Sequence, residues 1–353
     1  MRILIISNMY PSNNCPYYGS FVENIKKELE KKDIEIELAV IKGKSKNKLE
    51  KFFKYVKFFL EVITKVRRSD YDLIYVHYIL HSLIPLLFVK IKKPLILHAH
   101  GSDVFVNNKI GAIIQKFNSS LIKKSSLIIV PSLYFKEVIK KKFNIKESKI
   151  FISPSGGIDT KVFKPMNLEK NNIFTIGYVS RIDKGKGWDI FLRAVKVLKD
   201  KNLNFKVIMI GDGEEKSKLI KLIKNLKLEK YVEYLGVKPH KELPFYFNKM
   251  DLFVFPTVLK ESLGLVGLEA MACGVPIVGS NIGGLPSYIK DGINGKLFEA
   301  GNVNELAKNI EYFINLDKIN FEIYKKEALK TAKLYEKSIV IEKLYFKLKE
   351  FEK

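Results

Sequence analysis

The chain has 353 residues, of which 47% are hydrophobic, and its 62 Lys and Arg against 38 Asp and Glu give a formal net charge of +24. This length favours two domains over one, and the apolar content excludes a disordered chain. The positive charge predicts attraction to nucleic acid, anionic lipid or phosphorylated substrates. The two cysteines, Cys15 and Cys273, stand far apart without metal-ligand spacing, which favours a reduced, cytosolic protein over a disulfide scaffold.

Short β-branched runs alternate with helical patterns through the first half of the chain. The run RILIIS at residues 2–7 precedes a helical pattern at residues 19–32, and IEIELAVI at residues 34–41 follows it. Further strand candidates are YDLIYVH, PLILHAH, SLIIVPS and KIFIS. Strands separated by helix-length segments predict parallel sheets with crossover helices, which is an α/β architecture.

Residues 42–70 combine Phe, Val and Leu at helical spacing with many lysines. The segment is either a surface helix that packs its apolar face on the sheet or a basic amphipathic helix that lies on anionic lipid. We favour the first interpretation, because almost every helical pattern in the chain is rich in lysine. The triplet Asp70-Tyr71-Asp72 has the D-x-D spelling of metal-dependent sites, but it precedes a strand and is interpreted as the end of a helix.

The sequence predicts no membrane span. The best candidate, residues 77–91, is interrupted by His81, Ser82 and Pro85 and is shorter than the ~20 apolar residues that a spanning helix needs. The opening MRILIISNMYPS has too short an apolar run for a secretory signal. We therefore expect a cytoplasmic protein, either free or lying on the inner face of the plasma membrane.

The same alternation begins again after a polar interruption near residues 163–172. Strand candidates of this half are IFTIGYVS, FKVIMIGDG, LFVFPT and VPIVGS. The pattern predicts two Rossmann-like, doubly wound domains, one at residues 1–165 and one at residues 166–330. The remaining residues, 331–353, are predicted as a helix that crosses back to the first domain.

The stretch KESLGLVGLEAMACGVPIVG at residues 260–279 follows the strand LFVFPT. In an open α/β sheet, ligands bind where such loops lead into helix N-termini, whose unpaired amides suit a phosphate. We predict a helix that begins at Gly264 or Leu265, runs to Cys273 and is stopped by Gly274.

Two acids, Glu261 and Glu269, stand at the ends of this small, apolar stretch. Glu269 would lie about one turn into the helix, where a carboxylate can accept two hydrogen bonds from a ribose diol. Glu261 would lie in the loop and face the group that the phosphate carries. The simpler alternative is that Glu269 favours the helix dipole and that Glu261 is a solvated loop acid.

The spacing of these acids resembles the E-x7-E signature of the retaining glycosyltransferases of family 4, which have the GT-B fold. Three further motifs resemble those of the family in the same order along the chain: LHAHGSDV with His100 and Asp103, GGIDTKVFKP before the second domain, and GYVSRIDKGKGWD with Arg181 and Lys186. Together they span nearly the whole chain. The resemblance implies that the two domains face each other across a cleft.

The resemblance also implies a donor site in the second domain and an acceptor site in the first. Arg181 and Lys186 would clamp a diphosphate and offset the charge on the departing nucleotide, so they join Glu261 and His100 as the expected catalytic residues. Besides Arg181 and Lys186, the expected donor-binding residues are Gly19, Gly236, Val237, Gly264, Leu265, Val266 and Glu269. Retention by this family implies that the leaving phosphate takes the acceptor's proton, with no metal and no other cofactor.

Two positions depart from the family pattern. Gly19 is followed by Ser20 where the family often has two glycines, which resembles a branch common among cell-surface polysaccharide enzymes. Gly156 replaces the usual Asn, and we expect it to alter a hinge hydrogen bond and not the chemistry.

The five histidines show no metal spacing along the sequence. His240 is interpreted as a surface residue, and His77 as either a packed residue or an acceptor contact. The run GDGEE lacks the remaining residues of a phosphate loop, so Gly211 and Gly213 are interpreted as a tight turn beside the nucleotide.

We predict a retaining, metal-independent glycosyltransferase that moves a sugar from a nucleotide donor to a cell-envelope polysaccharide or glycolipid acceptor. UDP-sugars are favoured over GDP-mannose on family frequency. A sugar-nucleotide epimerase of the same fold is the alternative, and a nucleic-acid-binding protein is disfavoured because no RNA or DNA motif is present. The positive charge suits an anionic donor and an anionic membrane surface that carries a lipid-linked acceptor.

Overall fold

The computed structural model describes residues 1–106, 108–168 and 173–352. The chain divides into two compact units, one formed by Met1–Gly157 with Ser338–Lys353 and the other by Ile158–Lys337.

The chain leaves the first unit after Gly157, ahead of the junction that the sequence suggested at residues 163–172. Residues 169–172 of that stretch lie outside the described residues. The chain returns to the first unit at Ser338, a few residues after the position expected from the sequence.

The first unit is built on a parallel sheet of six strands. The strands are β1 (Arg2–Tyr10), β2 (Glu35–Lys42), β3 (Leu73–His77), β4 (Leu95–His98), β5 (Leu127–Val130) and β6 (Ile150–Ile152). Their order across the sheet is β2-β1-β3-β4-β5-β6. The chain adds β2 on one side of β1 and the later strands on the other side, so the order switches between β1 and β3. Ligands of such sheets bind at the carboxyl ends of the strands beside this switch point.

Both faces of the first sheet are buried, which explains the continuous apolar runs of its strands. Leu4 and Ile6 of β1 contribute to one apolar cluster, and Ile3 and Ile5 contribute to another. The helices that follow the first five strands are α1 (Ser20–Glu30), α2 (Lys48–Arg68), α3 (Ile79–Ser82), α4 (Lys109–Lys124) and α5 (Leu133–Phe143).

Helix α2 confirms the amphipathic helix predicted before β3. The Asn47 side chain caps its start, and Ser69 in a left-handed conformation ends it. Phe58, Val62 and Val66 are buried at helical spacing and join the core of the unit. The buried face agrees with the favoured interpretation of residues 42–70 as a helix that packs its apolar side on the sheet.

The opposite face of α2 is exposed and also apolar. Its large exposed side chains are Leu49, Phe52, Phe53, Val56 and Leu60. Lys48, Lys51 and Lys57 stand exposed between them. We call this surface the apolar–basic face of α2. Packing within the first unit accounts for the apolar residues on the buried face but not for those on this exposed face.

The D-x-D triplet lies between α2 and β3, as the sequence predicted. Asp70 Oδ2 accepts a hydrogen bond from Arg2 Nη1 at 2.7 Å, and Asp72 Oδ2 accepts one from the Arg2 backbone N–H at 2.8 Å. Both acids therefore fasten the start of β1 to the chain before β3.

The second unit repeats the architecture with its own parallel sheet. The strands are β7 (Phe174–Val179), β8 (Phe205–Ile210), β9 (Val232–Tyr234), β10 (Leu252–Phe255), β11 (Ile277–Ser280) and β12 (Gly295–Phe298). The order β12-β11-β10-β7-β8-β9 is that of dinucleotide-binding folds, with the switch point between β7 and β10. Two doubly wound sheets confirm the predicted α/β class.

Six helices cover the second sheet. They are α6 (Trp188–Asp200), α7 (Lys216–Asn225), α8 (Leu243–Lys249), α9 (Leu265–Ala272), α10 (Val303–Ile314) and α11 (Lys318–Leu334). Helices α6, α7 and α10 share one apolar cluster with the sheet, and α8, α9 and α11 share the other.

Helix α9 confirms the helix predicted after LFVFPT. Gly264 precedes it with φ 85° and Gly274 follows it with φ 80°, both left-handed. Leu268 and Met271 are fully buried, and a Cβ at Gly267 would lie 2.3 Å from Tyr288 Oη. The stretch is small and apolar because α9 is buried within the core.

The last helix, α12 (Lys337–Lys349), packs Ile341, Leu344 and Leu348 into an apolar cluster of the first unit. The α-amino group of Met1 lies 3.0 Å from Glu352 Oε1 and ties the two ends of that unit together. Among the helices of the described residues, none has both the length and the apolar composition needed to cross a membrane.

Candidate functional site

Two predicted site residues of the second unit, Lys186 and Glu261, form an ion pair. Lys186 Nζ donates to Glu261 Oε1 at 2.7 Å, and the two side chains are only 14% and 18% exposed. Thr257 Oγ1 lies 3.2 Å from the same carboxylate oxygen. Lys186 follows β7 and Glu261 follows β10, so the pair sits at the switch point of the sheet, where ligands of this fold bind.

The loops that carry the pair are packed against each other. Gly187 has φ 75°, and a Cβ there would lie 1.8 Å from the carbonyl oxygen of Pro256. The Val258 N–H donates to the Gly185 carbonyl at 2.9 Å. This close backbone approach needs a glycine after Lys186, and it brings the lysine within reach of the acid.

Arg181 belongs to the same loop but has a different environment. Its side chain is 72% exposed, and Nη1 lies 2.6 Å from Asp183 Oδ2. The structure therefore places the two expected diphosphate cations in one loop, each beside its own acid. Lys186 is the partly buried member and Arg181 is the solvated one.

Glu269 of α9 is buried, with 8% of its surface exposed, and has a histidine partner. Its Oε1 lies 2.9 Å from His240 Nε2, and this hydrogen bond raises the pKa of His240 above 6.5. His240 is a surface residue, as the sequence predicted, and its side chain is 62% exposed. Its imidazole also contacts the acid that the sequence assigned to the ribose, and the sequence did not predict this contact.

The remaining donor-side predictions lie at the start of α9 and the end of β9. Gly264 provides no side-chain cap, so Leu265 and Val266 supply the first backbone amides of the helix. Gly236 has φ 64°, and Val237 is 67% exposed. The structure thus assembles these residues on loops at the carboxyl edge of the second sheet.

In the first unit, the helix that begins after Gly19 packs the ring of Phe21 against His100. Gly19 has φ 76°, and a Cβ there would lie 2.5 Å from the Met9 carbonyl, so only glycine lets α1 begin so close to the end of β1. The Phe21 ring lies 4.1 Å from the His100 imidazole. Both predicted residues therefore lie at the carboxyl edge of the first sheet.

His77, His98 and His100 form a cluster that the sequence did not predict. His77 Nδ1 lies 3.1 Å from His100 Nε2, and the Tyr75 hydroxyl lies 2.7 Å from His98 Nδ1. Burial lowers the pKa values of His77 and His100 well below 6.5 and that of His98 to about 3. The three imidazoles are neutral at neutral pH, and His77, left open between two interpretations, is a buried, packed residue.

The histidine cluster has the composition of a metal site, because one nitrogen of each ring lies within 4.8 Å of the others. The hydrogen-bonded pair within it, His77 Nδ1 and His100 Nε2, does not have the geometry of two ligands of one ion. The centroids of the His77 and His100 rings lie 5.4 Å apart, and the ring planes differ by only 21°. This centroid distance equals the 3.1 Å between the two nitrogens plus the distance from each nitrogen to its own ring centre, so the nitrogens lie on the line between the centroids. The two nitrogens therefore point at each other along a hydrogen bond, whereas ligands of one ion point at a common third position.

Asp103 organises the loop that carries His100. It is fully buried and accepts hydrogen bonds from the backbone N–H groups of Ile79 at 2.9 Å, His100 at 3.0 Å and Gly101 at 2.8 Å. Burial raises the pKa of its carboxyl, and the backbone donors oppose that shift. The side chain is committed to backbone amides, so its role in this loop is structural.

Sequence reasoning missed Thr257, the role of His240 and the histidine cluster. One signal for the cluster was present, since His77 and His98 end neighbouring strands and pair in register, and His100 follows two residues later. No comparable signal pointed to the contact between His240 and Glu269, which lie 29 residues apart.

Two doubly wound parallel sheets, each with polar loops at its carboxyl edge, define a two-domain α/β protein. The sequence profile described as Glycosyltransferase Family 4 matches residues 19–161, and the profile described as Glycosyl transferases group 1 matches residues 159–330. The chain belongs to glycosyltransferase family 4, and its fold is GT-B.

Two relatives and one solved structure are similar to this chain. An uncharacterized glycosyltransferase of Methanocaldococcus jannaschii is 30% identical over 341 residues, covering 90% of this chain and 91% of the relative. N-acetylgalactosamine-N,N'-diacetylbacillosaminyl-diphospho-undecaprenol 4-alpha-N-acetylgalactosaminyltransferase of Campylobacter jejuni is 29% identical over 244 residues, covering 67% and 64%. The structure of HepE of Anabaena in complex with UDP superposes with a TM-score of 0.78 at 21% identity, covering 99% of this chain and 100% of HepE.

Proposed function

We propose that the chain is a retaining, metal-independent glycosyltransferase that uses a nucleotide-linked sugar as donor. The observation that carries the proposal is the Lys186–Glu261 pair at the switch point of the second sheet, beside the uncapped start of α9. The cation and the helix N-terminus suit the diphosphate of a nucleotide-linked sugar, and the acid suits the sugar that the diphosphate carries.

The donor would exchange partners with the site. Its diphosphate would take Lys186 from Glu261 and lie against the first amides of α9, with the exposed Arg181 closing on the outer oxygens. Glu261 would then turn to the sugar hydroxyls. Glu269 would accept hydrogen bonds from the ribose, with His240 holding the orientation of its carboxylate.

The chemistry would proceed on one face of the sugar. The acceptor oxygen would form its bond to the anomeric carbon on the side from which the diphosphate leaves. The bond from that carbon to the phosphate oxygen breaks, the acceptor's proton passes to the departing phosphate, and a nucleoside diphosphate is released. Lys186 and Arg181 would supply the positive charge that a metal supplies elsewhere, so neither an ion nor a protein nucleophile is required.

We favour a UDP-sugar over GDP-mannose as donor, and a cell-envelope polysaccharide or glycolipid as acceptor. The complexes of HepE with UDP and with UDP-glucose support the donor. The Campylobacter enzyme, whose name describes transfer to a diphospho-undecaprenol-linked sugar, supports a lipid-linked acceptor.

We also propose that the apolar–basic face of α2 holds the chain on an anionic lipid surface, which would place it on the inner face of the plasma membrane. Phe52 and Phe53 are 62% and 61% exposed, and lysines flank them. Apolar groups that enter the interface and cations that meet lipid phosphates are the two features of an interfacial helix.

Vesicle flotation tests this surface. The chain should float with phosphatidylglycerol vesicles and far less with phosphatidylcholine, and the Phe52→Asp/Phe53→Asp variant should lose flotation. Ile319→Asp, which changes another exposed apolar residue in the second unit, is the matched control. Equal flotation of all three proteins, or none with anionic vesicles, contradicts the membrane proposal.

The proposed activity is tested by thermal-shift measurements with UDP, GDP and ADP, followed by turnover of the matching sugar nucleotides. A ligand that binds the native state raises the melting temperature. An α-linked product from an α-linked donor, identified by NMR, supports retention. Isomerised donor formed without acceptor would instead identify an epimerase. Salt-sensitive DNA binding without any sugar-nucleotide turnover would identify a nucleic-acid-binding protein.

A further inference from the structure

The hydrogen bond between His77 and His100 determines where each imidazole carries its proton. The rings are nearly coplanar, with an interplanar angle of 21°, and are joined by His77 Nδ1 and His100 Nε2 at 3.1 Å. His77 is fully buried, whereas His100 is partly exposed and can meet a ligand. A neutral imidazole has one N–H and one acceptor nitrogen, so one proton lies between the two rings.

Only two arrangements of protons make this hydrogen bond. In the first, His77 donates from Nδ1 and its Nε2 is bare, which leaves the proton of His100 on Nδ1. In the second, His100 donates from Nε2, and His77 must carry its own proton on Nε2.

The surroundings of His77 select between these arrangements. Its Nε2 is buried and has no hydrogen-bond partner among the described residues. The second arrangement would bury an N–H group there without an acceptor, and such groups are rare in folded proteins. The first arrangement leaves only a bare nitrogen at that position.

We infer that His77 is a positioning residue that donates from Nδ1 to His100 Nε2 and thereby fixes His100 in the tautomer with its proton on Nδ1. His100 is then a hydrogen-bond donor, and the ligand atom that it meets must be an acceptor such as a hydroxyl or phosphate oxygen. With Nε2 occupied by His77, His100 has no free nitrogen to remove a proton from the acceptor substrate.

Neighbouring rings hold the donor in place. Phe21 and His98 pack against the His100 imidazole with centroid distances of 4.1 and 4.4 Å. The backbone N–H of His100 is also fixed by Asp103 at 3.0 Å. A ring that is bonded at Nε2 and packed by its neighbours can present Nδ1–H in only one direction.

The tautomer can be read directly in the free protein. Long-range proton–nitrogen correlation spectra of the full chain with nitrogen-15-labelled histidine distinguish protonated from bare ring nitrogens. The five histidines can be assigned by single substitutions. We expect His77 and His100 both to be protonated on Nδ1 at neutral pH. A His100 protonated on Nε2 in the wild-type protein would overturn the inference.

Two variants then test the consequence. His77→Phe should release His100 to the Nε2–H form and lower kcat/KM about tenfold, the scale of one aligned hydrogen bond. His77→Asn keeps an N–H near the position of Nδ1 and should restore both the tautomer and most of the rate. His81→Gln, on α3, is the control and should change neither. An unchanged His100 tautomer in His77→Phe, or no rescue by Asn, contradicts the positioning role.

The ligand part of this inference rests on the proposed transferase function, but the tautomer does not. If no sugar nucleotide is turned over, the spectra still decide the tautomer. If the tautomer is wrong while transfer occurs, the proposed function stands.

Discussion

Replacement of Lys186 by Met should affect stability and turnover for separate reasons. The substitution removes the cation and retains most of the apolar length of the side chain. It leaves the Glu261 carboxylate 18% exposed, with Thr257 at 3.2 Å as a remaining polar contact. Breaking one side of a buried ion pair costs about 3–5 kcal/mol, and an exposed pair contributes about 0–1 kcal/mol. Because both side chains still touch solvent, we expect the free energy of unfolding to fall by about 1–3 kcal/mol.

The effect on turnover should be larger and should not depend on the ion pair. Loss of one charge-stabilising donor lowers turnover by about 10²–10³. The double variant Lys186→Met/Glu261→Gln removes both charges, so its stability should return toward that of the wild type. Its turnover should stay as low as that of Lys186→Met. A stability that recovers while activity does not separates the structural from the chemical role of Lys186.

The chain offers a convenient signal for this measurement. Trp188 is its only tryptophan, and it begins α6 in the second unit, two residues after Lys186. Its fluorescence during urea unfolding therefore reports on the unit that carries the pair. Lys196→Met breaks an exposed pair with Asp200 on the same helix and should change stability by less than about 0.5 kcal/mol. Equal stability of the two lysine variants, or wild-type turnover in Lys186→Met, would refute the reasoning.

Four other results are expected from the same site. Glu261→Gln releases Lys186, so it should raise UDP affinity about two- to fivefold in calorimetry while turnover falls; weaker UDP binding would contradict the exchange of partners. Glu269→Ala should greatly weaken nucleotide binding in the thermal-shift assay, and unchanged binding would remove its ribose assignment. The raised pKa of His240 means that its pair with Glu269 stabilises the fold fully below about pH 6.5 and loses that contribution as the pH rises through the raised pKa. His240→Gln should therefore lower the free energy of unfolding by up to about 1 kcal/mol at about pH 5.5 and by less at about pH 8.5, and the reverse order would contradict the pairing. Transfer should survive EDTA; loss of activity that Mn²⁺ restores would contradict the metal-free proposal.

The sequence predicted the elements of the site better than its contacts. The bounds of α9 followed from Gly264 and Gly274, because glycine readily adopts the left-handed conformation found at both ends of this helix. The loop positions of Lys186 and Glu261 followed from the alternation of strands and helices, which puts both at the carboxyl edge of a parallel sheet.

The contacts themselves depend on information that no local pattern contains. Lys186 and Glu261 lie 75 residues apart and meet because β7 and β10 are neighbours in the sheet, which follows from strand order. His240 reaches Glu269 across 29 residues, from a one-turn helix at His240–Glu242 that the strand pattern does not predict. A histidine outside the predicted strands looks like any other surface residue until its neighbours are known.

The ion pair gives a physical reason why one acid and one cation would both suit the proposed donor site. Lys186 and Glu261 neutralise each other, so neither is left as an unpaired charge at 14–18% exposure. In the proposed exchange, a diphosphate that takes the lysine would replace one anion by another, so the cation would stay paired throughout. The carboxylate would be freed only when a donor is present, beside the place where its sugar would lie. Glu261 would then meet the sugar hydroxyls only after the donor has bound. The free energy lost when the Lys186–Glu261 pair breaks would be regained in the contact between Lys186 and the diphosphate.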